Sequence, residues 1–337
     1  MPPGRLWYTF IVAGPPALAW KKEETRKFTL QKITKIRGVK GAASWCALSA
    51  VCYLAALALT ETIVSFFMGL RVEGATLTAP VGFSQTEVGL LTTLSSTAAI
   101  LIPIFLLLRL TRLRADDLRL LWPMPWSPLF CLSLFLGVAN AANLFGSLLA
   151  RLIGTAGGSI ALPAGGSALL VSFLNLCLVP ALLEEIFFRG ALQGLLRPCG
   201  SAAAIFGPAL LFALLHLDLA QGITAFVCGV FLGWLTERTG SILPGMLLHL
   251  INNTIAFSVA YLQLYASREV ALGIELFVLL FFPLFALWML WHAVRQGFHF
   301  SDGLRPGVDA WDVFSSPLYT VAVLLLAAFC VQQSQIL

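Results

Sequence analysis

Apolar runs of about twenty residues and longer recur along nearly the whole chain, and this repetition restricts the fold more than any other feature of the sequence. A helix crossing the hydrocarbon of a bilayer needs about 20 apolar residues, whereas a barrel strand alternates apolar and polar side chains. These runs are continuous, and inside a bilayer only helices or closed barrels satisfy their own backbone hydrogen bonds. With 59% hydrophobic and 11% charged residues among 337 and a mean hydropathy of +0.89, the chain exceeds what a soluble core requires. The expected fold is all-α, a polytopic membrane helical bundle of about eight transmembrane helices, at roughly 44–69, 87–108, 128–150, 168–196, 202–217, 221–236, 241–262 and 272–293. A ninth apolar run at 314–331 closes the chain. The expected organisation is an N-terminal interfacial and basic segment (1–43), a membrane bundle (44–296), and a polar loop with a terminal apolar helix (297–337).

Residues 6–20 are apolar but broken by Pro15 and Pro16, and as a helix they reach only about 22 Å, so an interfacial or re-entrant segment is expected there. A cleaved leader is disfavoured because the strong positive charge follows this stretch instead of preceding it. Much of the formal charge of +5 lies in the block Lys21–Lys40, which reads as a cytoplasmic membrane flank. No groove of interleaved basic and aromatic residues accompanies it, so no nucleic-acid partner is expected. Alternation then places Arg109, Arg112, Arg114, Arg119, Arg197, Arg238, Arg295 and Arg305 on the same side as that block, with Arg71, Arg151 and Arg268 opposite. The seven cysteines form no CxxC pair and read as small buried hydrophobes. Gly229 and Gly233 form a GxxxG suited to close helix packing.

Ionisable groups inside such runs are costly unless paired or used. Glu184, Glu185 and Arg189 lie in one run, His216 in a second, His249 and Asn253 in a third. Glu185 and Arg189 are spaced i, i+4 with the acid first, the favourable order for a pair on one helix face, while Glu184 points about 100° away. Glu184 and His216 are equidistant from Gly200 in the turn RPCGS, so an antiparallel hairpin places both about 24 Å from that turn. His249 and Asn253 share a helix face at i, i+4, about 13 and 20 Å along the seventh span. In such a set Glu184 takes a proton from water, His216 holds that water, and His249 and Asn253 donate hydrogen bonds to the oxyanion formed at an amide carbonyl.

The motifs EExxxR (Glu184, Glu185, Arg189), FxxxH (Phe212, His216) and HxxxN (His249, Asn253), in that order on three apolar runs, resemble those of the CAAX protease and bacteriocin-processing family, over about residues 168–260. The resemblance implies an intramembrane endopeptidase of glutamate type that acts on a protein or peptide substrate. Glu184, His216, His249 and Asn253 would be catalytic, and Glu185, Arg189 and Phe212 supporting. It implies no cofactor, and prenylated C-terminal tails are one of its substrate classes.

Other readings stay open at this stage. Glu184, His216 and His249 also match the donor set of a catalytic zinc site, although no HExxH is present. The two GGS triplets, 157–159 and 165–167, fall in a Gly-rich connector and read as flexible loop. Cys177 reads as packing. Glu61 in the first span suits either a catalytic cavity or the ion path of a transporter, and a non-enzymatic immunity protein would keep the motifs for folding.

Overall fold

The computed structural model describes residues 38–68, 82–111, 113–123, 126–155, 161–301, 304–307 and 311–336. The expected interfacial segment 6–20 and all but the last three residues of the basic block lie outside them. No strand occurs among the described residues. Seven helices are long and apolar enough to cross a bilayer: α1 Gly38–Met68, α2 Gln85–Thr111, α3 Pro128–Ile153, α4 Gly166–Cys199, α6 Leu219–Thr239, α7 Leu243–Tyr265 and α8 Arg268–Arg295. Between α4 and α6 lies α5, Ser201–Leu214, and the last helix is α9, Pro317–Ile336.

Seven of the about eight expected spans are thus long enough among the described residues, and the remaining one is the shorter α5. The expected span 202–217 stops at Leu214 after 14 residues, about 21 Å of helix, because Leu217 takes a left-handed φ of 54° and Asp218 begins the next helix. Asp218 Oδ1 accepts from the backbone N–H of Gln221 at 2.7 Å, an N-cap that starts α6. His216 consequently sits in the turn between α5 and α6, not inside a helix. The apolar stretch Pro317–Gln332 of α9 is also shorter than a span.

Two apolar clusters hold the bundle. In the first, the small face of α1 (Ala43, Cys46, Ala47, Ala50) lies against Phe187, Leu192 and Leu195 of α4 and the buried face of α5. In the second, Phe130, Leu134 and Phe135 of α3 meet Phe231 and Trp234 of α6 and Ala286 of α8. The GxxxG of α6 does pack closely: a Cβ on Gly229 would lie 3.1 Å from the Ala209 side chain, and one on Gly233 would lie 3.4 Å from Ile205. All seven cysteines are free.

At one end of the bundle Glu237, 2% exposed, receives Arg197 Nε at 2.9 Å, Arg305 Nη2 at 2.8 Å and Gln193 Nε2 at 3.0 Å, with Arg119 Nη1 at 3.6 Å. Three arginines expected on one membrane side from alternation thus meet on one carboxylate. The late loop is more than a connector: the Arg305 N–H donates to Ser201 Oγ at 2.9 Å and the Ser201 N–H to the Arg305 carbonyl at 3.1 Å, fastening it to the 197–201 turn. Burial, then neighbouring Arg197, pull the Arg119 guanidinium down to about 9, opposed by Glu237. Removing the acid leaves these cations uncompensated, which costs about 3–5 kcal/mol for a buried pair. Glu237→Ala is therefore expected to lower the melting temperature in detergent markedly, and an unchanged melting curve would show that the knot contributes little.

Candidate active site

Helix α4 is not uniformly α-helical. It passes through π-helical turns at Leu174–Leu178 and Glu185–Leu192, joined by the short α-helical piece Val179–Glu184. The first has a cause in the sequence: Pro180 lacks an N–H, so the carbonyl four residues earlier, Leu176, loses its helical donor. Asn253 Nδ2 on α7 donates to that carbonyl at 3.2 Å. Turns of this kind are rare and occur often at functional sites.

The second π-helical stretch carries the ion pair expected from spacing. Arg189 Nη1 donates to Glu185 Oε1 at 2.8 Å, with the two side chains 2% and 0% exposed. The same Glu185 oxygen accepts from His249 Nδ1 at 2.9 Å. A carboxylate only accepts, so His249 carries its hydrogen on Nδ1 and turns Nε2 toward Glu184, whose Oε2 lies 3.9 Å away. The expectation that helical phase separates the two acids is corrected here: one imidazole meets both. Glu184 is the more open of the pair, 20% exposed.

Phe212 ties these groups to α5. Its ring lies under the Arg189 guanidinium, 4.6 Å from centroid to Cζ, and edge-on to His216 at 4.8 Å and His249 at 6.2 Å. Its carbonyl accepts from His216 Nδ1 at 2.8 Å, which leaves Nε2 as the open nitrogen of that ring. The Phe188 ring lies tilted against that of Phe212 with centroids 4.8 Å apart, so the hairpin register is centred on Gly200 and His216 is level with Glu184. No direct contact joins Glu184 and His216; each ring or carboxylate keeps the partners named above.

Two atoms of the buried pair, Glu185 Oε2 and Arg189 Nη2, have no hydrogen-bond partner. Each lies against bare helix backbone: a Cβ on Gly245 would come within 3.1 Å of Glu185 Oε2, and one on Gly229 within 3.3 Å of Arg189 Nη2. The space for the pair is thus made by glycines of α7 and α6.

Among the described residues no group of three or more His, Cys, Asp or Glu is gathered to hold a metal ion. His216 and His249 each direct Nδ1 to a protein acceptor and keep Nε2 open. The triplet 165–167 proves to be the start of α4, where Ser167 Oγ lies 3.0 Å from Thr86 Oγ1; the triplet 157–159 lies outside the described residues. Cys177 is buried, and Glu61 is exposed near the outer end of α1. Pro180 is a helix breaker inside the fourth apolar run, while Glu237 lies one residue past the sixth, where nothing local marks it.

Residues 166–255 match a family model described as type II CAAX prenyl endopeptidase Rce1-like, which supports the family read from the three motifs and spans all seven motif residues. No curated protein and no solved structure matches the chain.

Proposed function

We propose that this protein is an intramembrane endopeptidase of glutamate type whose substrate is a protein carrying a prenylated C-terminal tail. The observation that carries this reading is the placing of His249, held by the buried Glu185–Arg189 pair with its free nitrogen turned toward Glu184. Glu184 takes one proton of a water while His216 Nε2 accepts a hydrogen bond from the O–H that remains, and the water oxygen bonds to the amide carbon. His249 stands between the two carboxylates, with its Nδ1–H committed to Glu185. Its Nε2–H, with the second N–H of Asn253, donates to the oxyanion. The proton held by Glu184 then passes to the amide nitrogen as the carbon–nitrogen bond breaks, giving an acid and an amine.

Purified protein reconstituted in liposomes is expected to cleave a peptide with a prenylated cysteine near its C-terminus, and to cleave the unprenylated peptide poorly. Because the donors do not gather for a metal, exhaustive chelation leaves the rate unchanged. Loss of cleavage on chelation with recovery on adding zinc would overturn the glutamate assignment. Ion flux without cleavage would replace the enzyme by a transporter.

A further inference from the structure

Glu184 receives no hydrogen bond from any described residue, although a carboxylate at this depth is costly without donors. A donor stands beside it on α1, outside the matched segment. Cys46 Sγ lies 3.7 Å from the Leu192 carbonyl, and seven residues further along α1 the Tyr53 ring meets Phe187 edge-on at 6.0 Å. As α1 advances α4 recedes, so the helices are antiparallel and Tyr53 stands level with Glu184 and Glu185. Its hydroxyl is within electrostatic reach of the Glu184 and Glu61 carboxylates. That hydroxyl makes no hydrogen bond among the described residues and is not one of the sealed polar atoms. A donor and an acceptor thus lie at one level of two adjacent helices.

We infer that Tyr53 is a positioning residue for the reaction: its hydroxyl donates to Glu184, directly or through the attacking water, and aims the carboxylate at the substrate carbonyl. This rests on the proteolytic reading above. It also makes α1 part of the active site, so that the matched helices alone would form an incomplete one. The tyrosine acts through the base and not through substrate binding, so its loss lowers kcat and spares KM.

Tyr53→Phe keeps the ring contact with Phe187 and removes only the hydroxyl. The expected result is a fall in kcat of about 10- to 100-fold, the worth of a hydrogen bond to a charged group, with KM unchanged. In a Glu184→Gln background the same substitution has no further effect on the residual rate, because the group it serves is gone. A kcat close to wild type in Tyr53→Phe, with Glu184→Gln at its residual rate, overturns the role of Tyr53 and leaves the protease standing. A raised KM at constant kcat, or an additive loss in the double variant, also overturns it. Full cleavage by Glu184→Gln overturns the proteolytic reading itself.

Discussion

Glu184→Gln reduces peptide cleavage to a small residual rate and leaves the bundle intact. The carboxylate is the partly exposed member of the acid pair and does not pair with Arg189, which is committed to Glu185. Glutamine fills the same volume but cannot take a proton from water, and removing a general base costs about 10²–10⁴ in rate. The expected variant elutes and melts like wild type in detergent and forms product in liposomes only at the residual rate. His216→Ala is expected to weaken cleavage in the same assay by releasing the water from its second partner. A well-folded Glu184→Gln protein with wild-type turnover would remove the base from the mechanism.

Arg189→Ala has the opposite character, failing first in stability. The guanidinium is 2% exposed, donates to a carboxylate that is 0% exposed, and covers the Phe212 ring. Deleting one partner of a buried pair costs about 3–5 kcal/mol, because the remaining charge has no compensation. Arg189→Lys is not expected to restore the protein, since an ammonium lacks the planar fork that reaches Glu185 while lying on Phe212 and against Gly229. Replacing both partners by leucine recovers part of the melting temperature without recovering activity, because His249 has then lost the acceptor that holds it. An Arg189→Ala melting curve identical to wild type would show that the pair is dispensable.

The bundle was legible in the sequence because uninterrupted apolar length has few other uses, and the Glu185–Arg189 pair because i, i+4 spacing survives a widened turn. The level of His216 with Glu184 followed from counting outward from Gly200. What a single helical period could not convey was local departure from it. Adjacent acids meet one imidazole brought by a distant helix, and the early stop of α5 puts His216 on a turn. The signals of such departures, Pro180 and the capping Asp218, are single residues whose effect depends on which neighbour answers the unpaired group. Glu237 was hidden for another reason: its three cations come from segments far apart in the chain, and no local spacing brings them together.

The hydrogen bond from Asn253 to the Leu176 carbonyl bears on how this site can be dissected. The amide is a splint for α4 as well as a candidate donor to the reaction, because Pro180 has left that carbonyl without its helical partner. Truncating Asn253 would orphan an acceptor two turns from Glu184, at a cost of about 1–3 kcal/mol where the group is buried. Any lost turnover in such a variant would therefore mix bent scaffold with missing chemistry. Restoring a residue with an N–H at position 180 is the change that would separate the two.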